Sequence, residues 1–231
     1  DPGVPVSGAT AVARMPGSAA EALTRLKTDI GPDCSRCKLH GLGRQQVVFG
    51  TGNPQAALMF VGEAPGADED VQGEPFVGRA GQLLTKIIEA IELRREDVYI
   101  ANVIKCRPPN NRDPEPDEVE TCKPFLLQQI AEIKPALVCT LGNWVTQTIL
   151  ERKVPITKVK GQAIRLDRFV VFPLLHPAAA LHQGNLLETL KEDFKKLKAY
   201  LDRQQAPATP VAPAAAPAAS PAQSQTDLFG T

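Results

Sequence analysis

Four of the five cysteines in this 231-residue chain fall into two pairs. Cys34 and Cys37 form a C-x2-C step in the irregular stretch CSRCKLHGLGR, and Cys106 and Cys122 follow with fifteen residues between them. Two pairs, one of them tight enough to chelate, read as a four-thiolate metal site. Zinc and a [4Fe-4S] cluster both accept four thiolates, so spacing alone leaves the metal open. The expected role is structural, tying the N-terminal loop to the segment after Asn102. Cys139 lies inside the apolar run ALVCTLG and reads as a small core residue.

Three other residue types stand where chemistry is done. VYIANVIKC carries a carboxamide, Asn102, inside an apolar run that leads to Cys106. ALMFVG is followed by Glu63 in VGEAPG, and FVVFPLL by His176 in LLHPAAAL. Of the three histidines, His40 and His182 fall on expected loops, which singles out His176.

The surrounding pattern says how these groups are held. Ser18 to Ile30 reads as a helix with Ser18 as N-cap, Glu21 closing a capping box and Gly31 as its stop. VVF (47–49), ALMFVG (57–62), VYIANVI (98–104), ALVCTLG (136–142), AIRL (163–166) and FVVFPLL (169–175) read as strands. The segment EAPGADEDVQGEPFVGRAG reads as a loop, and QLLTKIIEAIEL as a helix with Leu83, Leu84, Ile87, Ile88 and Ile91 on one face. A helical pattern through Val119, Leu126, Ile130 and Ile133 is expected to break at Pro124 and to stop before Pro135. Further helices are expected over 143–151 and LLETLKEDFKKLKAYL. Alternating strands and helices predict a three-layer α/β/α domain with a mainly parallel sheet. Ligands of such sheets sit beyond the carboxyl ends of the strands, which is where the three polar groups fall.

Composition excludes several classes. Formal net charge is zero, so bulk charge does not announce a nucleic-acid partner. Local charge is uneven: 151–168 carries six Lys/Arg against two acids, and 62–74 carries five acids and no base. A neutral protein can still offer a basic strip to phosphates. No run approaches the roughly 18–20 apolar residues of a membrane span and no signal segment is recognisable, so a cytoplasmic protein without membrane attachment is expected. Residues 1–17 read as a disordered leader, 18–203 as the folded domain, and the Ala/Pro-rich 204–224 as a disordered linker ahead of a terminal peptide, 225–231.

VGEAPGADEDVQGEPFVGRAGQLL, VYIANVIKCRPPNNRDPEPDE and LLHPAAAL, with the four cysteines, resemble the family 4 uracil-DNA glycosylases, the iron–sulfur branch of that superfamily. The resemblance runs from about Cys34 to Leu201. It implies a four-stranded parallel core sheet, a [4Fe-4S] cluster on Cys34, Cys37, Cys106 and Cys122, and excision of uracil from DNA to leave an abasic site. Phe76 is then expected to stack on the everted base, Asn102 to read its edge and Glu69 to exclude the thymine methyl. The Ala64 amide and Pro65 carbonyl would line the uracil, and His176 would stabilise the charge developing on it. Glu63 is expected to orient water, because Ala64 stands where other branches of the superfamily place an aspartate.

A second departure follows the HPA motif. The family continues Leu-Leu-Arg where this chain has Ala-Ala-Leu-His (179–182). Leu181 remains the candidate wedge into DNA, while Lys158, Lys160 and Arg165 are candidates for the missing phosphate contact. The terminal QTDLFGT resembles the short peptides that dock bacterial DNA sliding clamps, through Gln225, Leu228 and Phe229. A monomer acting on uracil-containing DNA is expected. The rival reading is a non-catalytic uracil- or damage-binding adaptor tethered to the clamp.

Overall fold

The computed structural model describes residues 18–205. The leader (1–17), most of the expected linker and the clamp-binding candidates Gln225, Leu228 and Phe229 lie outside the described residues.

Six strands form one sheet: β1 (Thr51–Gly52), β2 (Leu58–Gly62), β3 (Tyr99–Asn102), β4 (Leu137–Leu141), β5 (Ile164–Arg165) and β6 (Val170–Leu174), in the order β1-β3-β2-β4-β6-β5. The inner four run parallel, and the two-residue strands β1 and β5 close the edges antiparallel. Every residue of β2, β3 and β4 is buried, as continuous apolar runs covered on both faces require.

Alternation along those runs separates the two faces. Met59, Val61, Tyr99, Ala101 and Val138 pack with α1 (Ala19–Ile30), α4 (Pro116–Ile133) and α5 (Asn143–Leu150). Leu58, Phe60, Ile100, Leu137 and Cys139 pack on the other side with α3 (Arg79–Ala90), α7 (Pro177–His182) and α8 (Gly184–Gln205). Two short helices, α2 (Ala67–Gln72) and α6 (Ile156–Val159), complete the set. The result is the expected three-layer α/β/α arrangement around a parallel core. Phe60 and Phe194 stack at 5.6 Å, and each fully buried ring of this size stabilises the fold by roughly 1.5–3 kcal/mol.

Local expectations were met at α1, where Ser18 and Glu21 close the capping box and Gly31, at φ 70°, ends the helix. Four others are corrected. VVF (47–49) forms no strand. Val48 donates one bond to the Lys105 carbonyl at 2.7 Å, and the ladder begins only at Thr51, past Gly50 at φ 135°. The run VYIANVI leaves the ladder after Asn102, although the Val103 and Ile104 amides still donate to the Gly62 and Glu63 carbonyls at 2.9 and 3.1 Å. Pro124 does not break α4: it sits exposed, and the buried Leu126, Ile130 and Ile133 hold the helix through the one lost bond. GADEDVQ contains the helix α2 instead of being loop throughout.

Candidate active site

A cavity of about 470 Å³ opens at the carboxyl ends of β2, β3 and β6. It brings together Glu63, Ala64, Pro65, Glu69, Phe76, Asn102 and His176, residues spread over more than a hundred positions of sequence. Leu181 lies on α7, half-buried, and is not part of the lining. Sequence reading passed over Pro108, Asn111 and Arg112, which form one wall. A usable signal was present in PPNNR: Asn110 and Asn111 both adopt φ 54°, a conformation Asn tolerates better than most residues. Arg112 is anchored by a two-pronged pair with the fully buried Glu118, at 2.6 and 2.9 Å.

Asn102 closes β3 opposite Gly62 of β2 and is 1% exposed. Its Oδ1 has no hydrogen-bond partner among the described residues. A buried acceptor left open costs about 1–3 kcal/mol, so the position is built for something that arrives. Gly62 makes room for it, since a Cβ there would fall 2.4 Å from Asn102 Oδ1 and 2.6 Å from the Phe76 ring. Phe76 holds a positive φ of 55°, a strained conformation for a bulky residue. Its backbone presses so closely on α3 that a Cβ on Gly81 would meet the Phe76 carbonyl at 1.9 Å.

Glu69 explains how that loop is fixed. It stands on α2, and its two carboxylate oxygens are already engaged. One accepts the Gly66 amide at 3.1 Å, and the other accepts the Val77 and Gly78 amides, both at 2.9 Å. This carboxylate fastens the GEAPG wall to the turn that presents Phe76.

His176 caps α7, with Pro177 as the first helical residue. The Ala178 amide donates to its Nδ1 at 3.1 Å. A main-chain N–H can only donate, so Nδ1 is the acceptor and the neutral ring carries its proton on Nε2. Burial lowers the pKa of this imidazole, against a smaller opposing pull from Glu69, and so favours the neutral ring. Its ring centroid lies 5.8 Å from that of Phe76, tilted by 32°. Glu63 is half-buried, and desolvation, then Asp113, push its pKa up to about 7.

The four paired cysteines are gathered beside this wall. Burial, opposed by Arg44 and reinforced by Cys122, Cys37 and Cys34, pushes the Cys106 thiol up to about 12. The Lys105 amide donates to Cys122 Sγ at 3.3 Å, and Arg36 reaches Cys34 Sγ at 3.6 Å. Lys38, next to Cys37, pairs with Glu115 and Asp117 at the start of α4, fastening the C-x2-C loop to the helix that carries Cys122. The donor set, four sulfurs with N–H groups aimed at two of them, suits a cationic centre. As the side chains stand, no group of three or more His, Cys, Asp or Glu among the described residues is drawn in to the spacing of a metal site. Cys139 is fully buried in β4, as expected of a core residue. In the basic strip, Lys160 is taken up by the buried Asp193 at 2.8 Å, while Lys158 and Arg165 are exposed. Among the described residues no helix is long and apolar enough to cross a membrane.

Comparison with known proteins agrees with this geometry. Residues 49–202 match the family model of the uracil DNA glycosylase superfamily. The chain is 46% identical over 180 residues to a type-4 uracil-DNA glycosylase of Archaeoglobus fulgidus, covering 74% of this chain and 90% of that one. It is 47% identical over 187 residues to the type-4 enzyme of Sulfurisphaera tokodaii, covering 77% and 84%. With the type-4 enzyme of Thermotoga maritima it shares 43% over 188 residues, covering 80% and 97%. A match of this extent, over a pocket whose carboxamide, aromatic ring and imidazole meet at three strand ends, places the chain in the uracil DNA glycosylase superfamily, among its type-4 members.

Proposed function

We propose that this chain removes uracil from DNA by hydrolysing its N-glycosidic bond, leaving an abasic site. The observation that carries this reading is the open, buried Oδ1 of Asn102 in a cavity shared with Phe76 and His176. Uracil offers N3–H to that acceptor and O4 to the amide nitrogen. Cytosine offers a bare N3 and an amino donor, and would leave buried polar groups unpaired.

A base can enter the cavity only after leaving the stack, which costs a few kcal/mol. Stacking on Phe76 returns roughly 1–3 kcal/mol of that. Bond cleavage builds negative charge on uracil O2 and positive character on the sugar. The Nε2–H of neutral His176 donates to O2 as the charge develops, an interaction worth roughly 3–4 kcal/mol. The reaction needs a water more than a strong base, and Glu63 at the mouth orients it. The Ala64 amide and Pro65 carbonyl line the base. Glu69, by holding the GEAPG wall against the Phe76 turn, sets the space left at C5 and so refuses thymine. Leu181 acts as the wedge into DNA, supported by its position on α7 five residues beyond His176, and exposed Lys158 and Arg165 face phosphates.

Cys34, Cys37, Cys106 and Cys122 are proposed to hold a [4Fe-4S] cluster, the assignment that the family resemblance favours over zinc. When bound, it supplies a covalent cross-link between the N-terminal loop and the wall that follows β3. The terminal peptide with Gln225, Leu228 and Phe229 is proposed to tether the enzyme to a sliding clamp, raising its local concentration without altering the chemistry. Release of free uracil from a uracil-containing oligonucleotide tests the activity. Binding without release would favour the adaptor reading instead.

A further inference from the structure

Lys105 is a lysine buried to 1% exposure, and neither oxygen that its ammonium meets belongs to an acid. Nζ donates to the main-chain carbonyl of Asn102 at 2.8 Å and to Gln129 Oε1 at 2.6 Å, with the Phe49 ring 6.0 Å away. Gln129, fully buried on α4, donates onward to the Phe49 carbonyl at 3.0 Å and to Tyr99 Oη at 3.3 Å. Burying an ammonium with no carboxylate against it is costly, a cost the nearby Cys122 sulfur offsets only in part, and a methionine would fill the same space without it. The hydrogen bonds are therefore what the position keeps, and one of them ends on the residue that reads the base.

We propose that Lys105, braced by Gln129, is a positioning residue for the Asn102 carboxamide, setting where its open oxygen points and hence how strongly the pocket accepts uracil. This deepens the reading of the pocket given above and rests on it. The ladder leaves off at Asn102, and the peptide that follows is held from both sides, its Val103 amide donating to the Gly62 carbonyl at 2.9 Å and its Asn102 carbonyl accepting from Lys105 Nζ. Because Oδ1 has no partner of its own among the described residues, the aim of the carboxamide is inherited from this backbone. The brace also joins the pocket to α4, the helix that carries Cys122, whose sulfur accepts the Lys105 amide.

The test uses the full chain with Lys105→Met and, because that variant can fail to fold, Gln129→Met, which leaves the lysine in place but removes its brace. Three quantities are read on folded protein: single-turnover release of uracil from an oligonucleotide, inhibition by free uracil, and the Kd for an abasic-site duplex. Misplacement of a reading group by a fraction of an ångström should lower the rate about 10- to 100-fold and weaken free-uracil inhibition alongside it. The Kd for the duplex should stay within about twofold. Folded variants with wild-type rate and wild-type uracil inhibition overturn the proposal, as does a rate loss matched by an equal loss of duplex binding, the mark of a general structural defect. A wild-type chain that releases no uracil overturns the underlying reading as well; an active wild type with unaltered variants overturns the positioning role alone.

Discussion

Gly62 and Asn102 face each other at the last rung of the β2–β3 ladder, and the space where a Cβ on Gly62 would stand lies 2.4 Å from the carboxamide oxygen. The glycine is thus part of the pocket although it donates no side chain to it. Gly62→Ala should displace both Asn102 and Phe76 and cut uracil release by at least about 100-fold. A crystal structure of the variant with both side chains unmoved, or an unchanged rate, would contradict this.

Asn102→Asp replaces a group that both donates and accepts with one that, when ionised, only accepts. Uracil then loses the donor to O4 and meets a charge there, while cytosine gains an acceptor for its amino group. Excision of uracil should fall by about 100-fold or more and the preference for uracil over cytosine should narrow. Parallel assays on the two bases check this, and equal, unchanged rates would reject the assigned contacts.

His176→Ala removes the donor expected at O2. The loss should sit in the chemical step, about 100- to 1,000-fold in single-turnover rate, with little change in the Kd for uracil-containing DNA. The opposite split, intact rate with weakened binding, would assign the imidazole to substrate holding instead.

Glu63 gives a pH signature. Its raised pKa means that the carboxylate that orients water forms only as pH passes about 7, so the rate should climb through that value and level off above it. Glu63→Gln should be slower and lack this rise. Stability moves the other way. The folded wild type holds its proton more tightly than the unfolded chain, so it loses stability as pH rises from about 4.5 through about 7. The glutamine variant escapes that loss and should gain about 1–2 kcal/mol relative to wild type at pH 8, after discounting for solvent access. Thermal melts at pH 4 and pH 8 measure the difference.

The pocket was legible in the sequence because its main parts sit in short, rigid contexts. Asn102 and His176 end buried runs, and the GEPFVG turn can present only one large side chain. The sheet was legible for a related reason: residues such as Leu58 to Val61 are apolar on both faces, which only a covered parallel strand needs. What escaped depends on contacts that only the folded chain supplies. Glu69 enters the pocket by resemblance, but its fastening of the GEAPG wall to the Phe76 turn shows only once its three amides are in place, and Arg112 goes unread until Glu118 closes on it. Lys105 drew no reading from the sequence, and Gln129, twenty-four residues later, is what makes it tolerable inside. Pro124 failed as a breaker because propensity yielded to the apolar face of α4.

Cys106 and Cys122 bracket the stretch that supplies Pro108, Asn111 and Arg112 to the cavity. With the proposed cluster bound, both ends of that stretch would be fixed through it, and oxidising or stripping it would free them together. Damage to thiols would therefore be felt as a blunted search for uracil, without any atom that touches the base having been altered.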